Sequence, residues 1–306
     1  MFLFRLPKIF RYLPLILWLL LPSMAMADIK VVTSIKPLAL IAQEIAGDKV
    51  SVENLLPVKA SPHDYPLRVS DIRRLQDADL VLWVGPSLET FLQRPLNNLA
   101  SNKHLAVYDL PGMNWPEGES HSHARAAGHQ HHGHDPHVWL DPRNAMIIAE
   151  VLAKKLSEID PASSMFYASN AKNFSVVIKE LDQHLMEILA PARGKGFAVY
   201  HEGYLHFVER YDLQQLAYVT FTPERRPGAK HLYELRQQLN NHASCLFVEP
   251  YYDMRIATDL AQELNLKVAL LDPIGEPEIK TYKQLLEKMA QAFLACLANS
   301  SVTGEV

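Results

Sequence analysis

The chain has 306 residues and a formal net charge of -4, with 48% hydrophobic and 21% charged residues. This composition excludes a disordered chain, a collagen-like repeat and a disulfide-dense miniprotein, and the length allows one large domain or two of moderate size. A charge this close to neutral gives no indication of nucleic-acid binding.

The first 27 residues have the pattern of a secretory signal peptide. Three positive side chains within the first 11 residues precede the apolar run Leu13–Leu21, and Ala25-Met26-Ala27 matches a small-residue cleavage site. The alternative is an uncleaved N-terminal anchor. We expect a mature chain that begins at Asp28 and, because no cysteine adjoins the cleavage point, carries no lipid anchor there. An exported, unanchored protein is expected in a bacterial periplasm.

From Asp28 onward, β-branched runs alternate with stretches of helical apolar spacing. This alternation is typical of βα units on a mostly parallel sheet. The predicted strands of the first half are Ile29–Ser34, Val50–Leu56, Leu80–Val84 and His104–Tyr108, and the predicted helices are Pro37–Ala46, Ser70–Gln76 and Leu88–Leu99.

The segment 112–134 loses all periodicity and predicts an exposed, mobile loop. It contains six clustered histidines, at His121, His123, His129, His131, His132 and His134. Imidazole is a common ligand of zinc, copper and nickel, so the cluster indicates a weak auxiliary metal site; the alternative is a solvated polar loop without a metal role.

Two helices are predicted after this loop, and the second is unusually long. The first is Asn144–Ile159, and the second begins at Pro161 and continues to about Leu189. A helix of roughly 29 residues is about 43 Å long, which suits a connector between two lobes.

The second half repeats the strand and helix alternation. Its predicted strands are Gly196–Tyr200, Gln215–Thr220, Cys245–Val248 and Val268–Leu271, and its predicted helices are Tyr204–Tyr211, Lys230–Asn240, Met254–Leu264 and Tyr282–Leu297. The sequence therefore predicts an α/β protein with two lobes, each built on a mostly parallel four-stranded sheet. The predicted divisions are 28–160 for the first lobe, 161–192 for the connecting helix and 193–306 for the second lobe.

Export also affects the interpretation of Cys245 and Cys296, the two cysteines of the chain. In an oxidising compartment an even pair usually forms a disulfide, whereas the alternative is two separate buried thiols.

Three further histidines lie at the ends of predicted elements, where functional residues concentrate. His63 follows the second strand, His137 lies between the His-rich loop and a helix, and His201 ends the strand Gly196–Tyr200. Their spacing matches no local metal motif, so from the residues alone each is more simply a surface or core histidine. Asp272 also follows a strand and could supply an oxygen ligand, although Asp before Pro is more often a turn residue.

These positions carry a resemblance to a known family. The chain resembles the periplasmic zinc-binding proteins of bacterial ABC uptake systems in the stretches Ser61–Pro66, Ser70–Pro86, Asp135–Pro142, Tyr200–Leu213, Pro227-Gly228-Ala229, Cys245–Pro250 and Leu271–Gly275. The resemblance implies two α/β lobes joined by one long helix, a metal site in the cleft between them, a His-rich loop in the first lobe and a disulfide in the second.

The resemblance also implies a ligand set and a partner. The family's three histidine ligands fall on His63, His137 and His201, and a carboxylate used most clearly by manganese-type relatives falls on Asp272. Pro62 precedes His63, so no carboxylate is available there, and the fourth ligand is Asp272 or water. The implied ligand is Zn²⁺, and the implied partner is an ABC-type zinc permease in the inner membrane. The resemblance also implies that the chain is a monomer.

The same residues are compatible with other functions. Three imidazoles suit tetrahedral Zn²⁺, while Mn²⁺ favours oxygen-rich sites. Because manganese-type relatives place Glu at the position of His201, a one-residue shift onto Glu202 would favour a manganese or iron carrier. An exported zinc hydrolase needs a base, and the chain has no HExxH or G-x-S-x-G motif. An adhesin-like surface protein is the last alternative. We therefore expect a binding protein and not an enzyme.

Overall fold

The computed structural model describes residues 29–116 and 135–298. The predicted signal peptide and the six clustered histidines lie outside the described residues. None of the described helices has both the length and the apolarity of a membrane span.

The first half forms a four-stranded parallel sheet in the order β2-β1-β3-β4. Its strands are β1 (Ile29–Thr33), β2 (Val50–Asn54), β3 (Leu80–Trp83) and β4 (His104–Ala106), and its helices are α1 (Lys36–Ala46), α2 (Val69–Asp77) and α3 (Gln93–Asn97). The fully buried β3, Leu-Val-Leu-Trp, lies in the interior of the sheet, as a continuous apolar run should.

The second half forms another four-stranded parallel sheet, in the order β6-β5-β7-β8. Its strands are β5 (Gly196–His201), β6 (Gln214–Thr220), β7 (Ala243–Val248) and β8 (Lys267–Leu270), and its helices are α6 (Leu205–Arg210), α7 (Ala229–Leu239), α8 (Arg255–Glu263) and α9 (Tyr282–Leu297). The predicted fold class, two parallel four-stranded sheets with flanking helices, is confirmed.

Two helices connect the halves, α4 (Pro142–Ile159) and α5 (Ser164–Ile188). The long helix α5 has 25 residues, which corresponds to about 38 Å. It begins later than predicted because Pro161–Ser163 forms a 3-10 turn, in which Asp160 accepts a hydrogen bond from the Ser163 backbone. The long helix is confirmed, whereas the predicted division of the chain at residues 160 and 192 stays a prediction.

The main apolar core is continuous across both halves. It runs from β1 and β3 through helices α1, α4, α5 and α9 to Phe197 and Phe247 of the second sheet. A smaller cluster, which includes Ala198, Leu235 and Leu260, covers the other face of that sheet. The two sheets are therefore fixed against a shared set of helices.

Cys245 and Cys296 form a disulfide between the β7 strand and the end of α9. The predicted bridge is confirmed, and both sulfurs belong to the second half. Because it joins residues 51 positions apart, it restricts the unfolded chain and should contribute about 4 kcal/mol in the entropic description.

Two local predictions are wrong. The single helix predicted over Leu88–Leu99 is a 3-10 turn, Thr90–Leu92, followed by the short α3. The Glu89 carboxylate accepts hydrogen bonds from the backbone of Val84 and Gly85 and holds the preceding chain in a turn. The segment predicted as an exposed loop from residue 112 is irregular over 112–116, but it is not fully exposed there, because the Asn114 backbone donates to Asn144 and Trp115 packs against Tyr108.

Candidate metal centre

Three histidines from distant parts of the chain meet at one point. His63 lies on the loop between β2 and α2, His137 precedes the 3-10 turn Val138–Leu140, and His201 is the last residue of β5. One ring nitrogen of each lies within 4.8 Å of the others, and the ring centroids are 5.2 to 5.5 Å apart. Within residues 29–116 and 135–298, these three side chains are the group with the geometry to share a metal ion.

The Nε2 atoms of His137 and His201 contact each other, and the Nε2 atom of His63 lacks, among the described residues, the partner that a buried nitrogen normally has. His137 Nε2 is 3.3 Å from His201 Nε2, and His63 Nε2 is buried with no hydrogen-bond partner in the described part of the chain. Buried polar atoms are usually satisfied. Two nitrogens bound tetrahedrally to zinc at about 2.0–2.1 Å lie roughly 3.3 Å apart, so the observed spacing fits one shared ion.

Buried carboxylates orient two of the three imidazoles. The Asp135 Oδ1 atom is 2.6 Å from His137 Nδ1, and Glu249, directly after β7, is hydrogen-bonded to His201 Nδ1. Since an ionised carboxylate can only accept, each imidazole donates from Nδ1 and keeps the Nε2 lone pair for a metal. The pair His201 and Glu249 meets because β5 and β7 are parallel neighbours whose carboxyl ends coincide.

Burial and these carboxylates shift the pKa values in opposite directions. Burial, aided by the nearby His137 and His201 rings, holds the pKa of His63 well below its usual range. Burial also lowers the pKa of His137, although Asp135 acts against it. Burial alone would lower the pKa of His201, but Glu249, Asp135 and Glu202 together outweigh it and raise that pKa. Neutral His63 and His137 are the forms that bind metal.

Gly203 provides the space at the meeting point. A Cβ atom at this position would lie 2.3 Å from His201 Nε2 and 2.9 Å from His137 Nε2. Any side chain would therefore occupy the volume between the ligand nitrogens, and glycine keeps that volume open.

Asp272 and Glu202 lie outside the close group of three histidines, and each has other partners. Asp272 Oδ1 accepts hydrogen bonds from the backbone of Ile274 at 2.9 Å and of Gly275 at 3.0 Å, as expected for a turn residue. The Glu202 carboxylate accepts a hydrogen bond from the side-chain amide of Gln215 at 2.9 Å, while Glu249 is the acceptor for His201.

Sequence reasoning assigned no role to Asp135, Glu249 or Gly203. An Asp two residues before a His was a visible signal for Asp135. Glu249 follows an apolar strand, but its contact with His201 depends on the order of strands in the sheet. That order is not readable from the sequence pattern.

The amino-acid sequence of the chain is similar to those of known zinc-uptake components. Residues 31–296 match the family model described as zinc-uptake complex component A, periplasmic. The chain is 35% identical over 293 residues to the high-affinity zinc uptake system protein ZnuA of Yersinia pestis, covering 89% of this chain and 92% of that protein. It is 34% identical over 298 residues to the protein of the same name from Paracoccus denitrificans, covering 88% and 91%.

Solved structures share the fold. A zinc-bound deletion mutant of ZnuA superposes with a TM-score of 0.76 at 24% identity, covering 90% of this chain and all of that chain. A mutant of the laminin-binding adhesin Lmb from Streptococcus agalactiae also gives 0.76, at 23% identity, covering 88% of this chain and all of that one. These likenesses extend over both sheets and the helices between them.

Proposed function

The chain belongs to the family of periplasmic zinc-uptake complex component A, and we propose that it captures Zn²⁺ between its two halves and delivers the ion to an ABC-type permease in the inner membrane. The observation that carries this proposal is the convergence of three imidazole nitrogens, two of them 3.3 Å apart, in a space that Gly203 leaves open. We propose His63, His137 and His201 as the ligands, with Asp272 or water in the fourth position.

The donor set supports zinc as the ion. Imidazole nitrogen suits Zn²⁺, whereas Mn²⁺ prefers sites dominated by oxygen. The manganese or iron alternative depended on Glu202 replacing His201, yet His201 contributes the ring nitrogen and Glu202 contacts Gln215. The six clustered histidines from His121 to His134 fall outside the described residues, and we propose them as a weaker auxiliary site.

A binding role is favoured over hydrolysis by what the nearby carboxylates do. A zinc hydrolase needs a base beside the metal-bound water. Asp135 and Glu249 are each hydrogen-bonded to a histidine ring, which fits the orientation of ligands better than proton transfer to a substrate. We therefore propose a periplasmic, monomeric, non-catalytic carrier.

Zinc binding to the purified, metal-free mature protein tests this function directly. Titration in competition with a chelator should reveal one tight Zn²⁺ site per chain, with Mn²⁺ bound far more weakly. His137→Ala should weaken the tight site by at least a hundredfold, whereas His184→Ala, which alters an exposed histidine of α5, should leave it unchanged. Preferential Mn²⁺ binding, or tight Zn²⁺ binding that survives His137→Ala, would contradict the proposal.

A further inference from the structure

The three histidines differ in how firmly the protein holds them. His137 precedes the connecting helices in sequence but is anchored to the second half of the fold. Asp135, its hydrogen-bonding partner, accepts from the Leu205 backbone at 3.2 Å, and the Asp135 carbonyl accepts from His206 Nε2 at 2.9 Å. The Asp135–His137 segment is thus attached to α6, the helix that begins four residues after His201.

A second pair of contacts extends this attachment. Trp139, whose ring lies 5.2 Å from that of His137, donates from Nε1 to the Pro273 carbonyl at 2.8 Å. The hydroxyl of Tyr282, at the start of α9, donates to the Trp139 carbonyl. Both contacts cross about 140 positions of sequence, so His137 and His201 belong to one rigid unit of the second half.

His63 lies on the opposite wall, on a loop held mainly by the first half. Arg74 of α2 donates to the Asn54 carbonyl at 2.7 Å and the Tyr65 hydroxyl donates to Asp71 at 3.1 Å. Ser61 is also hydrogen-bonded to Tyr252 of the second half. The His63 backbone donates to the Ser61 hydroxyl at 3.1 Å. Within the described ranges, no carboxylate accepts a hydrogen bond from the His63 ring, and its Nε2 has no partner.

We propose, building on the proposed zinc binding, that His137 and His201 form a preassembled pair that receives the ion, and that His63 is the ligand that closes the site and opens it for release. Asp135 and Glu249 are the positioning residues of the pair. A ring already fixed by a hydrogen bond loses little freedom when it binds a metal, whereas an unanchored ring must be ordered at that moment. The unanchored ligand is therefore the last to bind and the first to leave.

The state of the rings in the metal-free protein can be measured without any zinc. Nuclear magnetic resonance of protein with ¹⁵N-labelled histidine should show His137 and His201 each as a single tautomer, with Nδ1 protons protected from solvent exchange. The His63 ring should exchange between tautomers and orientations. A His63 ring as restrained as the other two would overturn the proposal.

The kinetics of binding provide the second measurement. Trp139 is a reporter beside His137, so zinc association can be followed by tryptophan fluorescence and dissociation by an excess of chelator. His63→Ala should leave the association rate within about threefold of the wild type and raise the dissociation rate at least a hundredfold. His201→Ala should slow association at least tenfold, and His184→Ala is the matched control.

The two proposals fail in different ways. Absence of zinc binding by the wild type would refute the proposed function. The restraint of the three rings is measured separately, by nuclear magnetic resonance of the metal-free protein. Equal effects of His63→Ala and His201→Ala on the association rate, with wild-type zinc binding intact, would overturn the order of assembly alone.

Discussion

Two buried carboxylates determine the chemistry of the site although neither points at the metal position. Asp135 and Glu249 each accept a hydrogen bond from the Nδ1 atom of a histidine and so direct its Nε2 lone pair inward. They also bring negative charge close to where a dication would lie, which compensates a charge that is costly to bury. The sequence shows the three histidines, but only the contacts show why two of them have a defined orientation.

Removing the charge from one of these carboxylates should weaken zinc binding while leaving all three histidines in place. Glu249→Gln should reduce zinc affinity by about 10- to 100-fold, because His201 loses an ionic acceptor that orients it and increases its basicity. The measurement is competitive titration with a chelator.

Glu202→Gln is the matched control for this substitution. Glu202 is the carboxylate next to His201 in sequence, yet it accepts from Gln215. We expect the zinc affinity of the Glu202→Gln variant to stay within threefold of that of the wild type. A larger loss for Glu202→Gln than for Glu249→Gln would show that Glu249 is not the carboxylate that orients His201.

Adding a single Cβ atom at Gly203 tests the proposed metal position. Gly203→Ala should abolish tight zinc binding, because the added Cβ would lie 2.3 Å from His201 Nε2 and must displace that ring. Gly228→Ala is the control, since a Cβ there meets nothing within 4 Å. Zinc titration and thermal unfolding of both variants separate a blocked site from a damaged fold, and tight binding by a folded Gly203→Ala variant would contradict the proposed metal position.

At the level of elements, the sequence predicts most of the fold and only part of the site. Apolar periodicity locates strands and helices such as β3, α5 and α9 because each buries a continuous apolar face. It fails over Leu88–Leu99, where backbone hydrogen bonds accepted by Glu89 impose a turn that the apolar pattern does not contain. Similarly, the grouping of His63, His137 and His201 follows from motif resemblance and not from spacing, because tertiary contacts between distant segments bring them together.

Glu89 makes the turn after β3 sensitive to pH. Burial raises the pKa of Glu89 to about 7, although hydrogen bonds from Ser34, Gly85 and Val84 oppose the shift. The folded protein therefore holds the proton more tightly than the unfolded chain. The resulting stabilisation is complete below about pH 4.5 and is lost as the pH rises through about 7.

Glu89→Gln should remove this dependence, because glutamine stays neutral. The free energy of unfolding of the wild type, measured with urea on metal-free protein, should fall relative to that of the variant as the pH rises from 4.5 to 8. The relative loss should reach at most about 3 kcal/mol. A constant difference between the two proteins across this range would show that Glu89 does not titrate there.

At the level of the whole molecule, the helices shared by the two sheets are what hold the two halves together. The main core continues from β1 through α5 and α9 to β5 and β7, and Tyr282 of α9 contacts both Glu44 of α1 and Trp139. The two halves are therefore not independent globules connected by a linker. At the proposed metal position, the loop of His63 from the first half meets the pair His137 and His201 of the second half. A bound ion therefore adds a further connection between two halves that the core already holds together.

This arrangement predicts one unfolding transition that zinc shifts as a whole. Calorimetry of the metal-free protein should show a single cooperative transition, because unfolding either sheet exposes helices that the other sheet needs. Zinc at 100 times its dissociation constant should add about 2.7 kcal/mol and raise the midpoint without splitting the transition. His63→Ala should remove most of that increase while leaving the metal-free midpoint nearly unchanged, since it deletes ring contacts with the other two histidines and leaves their hydrogen bonds to carboxylates in place. Two separate transitions, with zinc raising only one of them, would mean that the halves unfold independently and that the ion is held by one half alone.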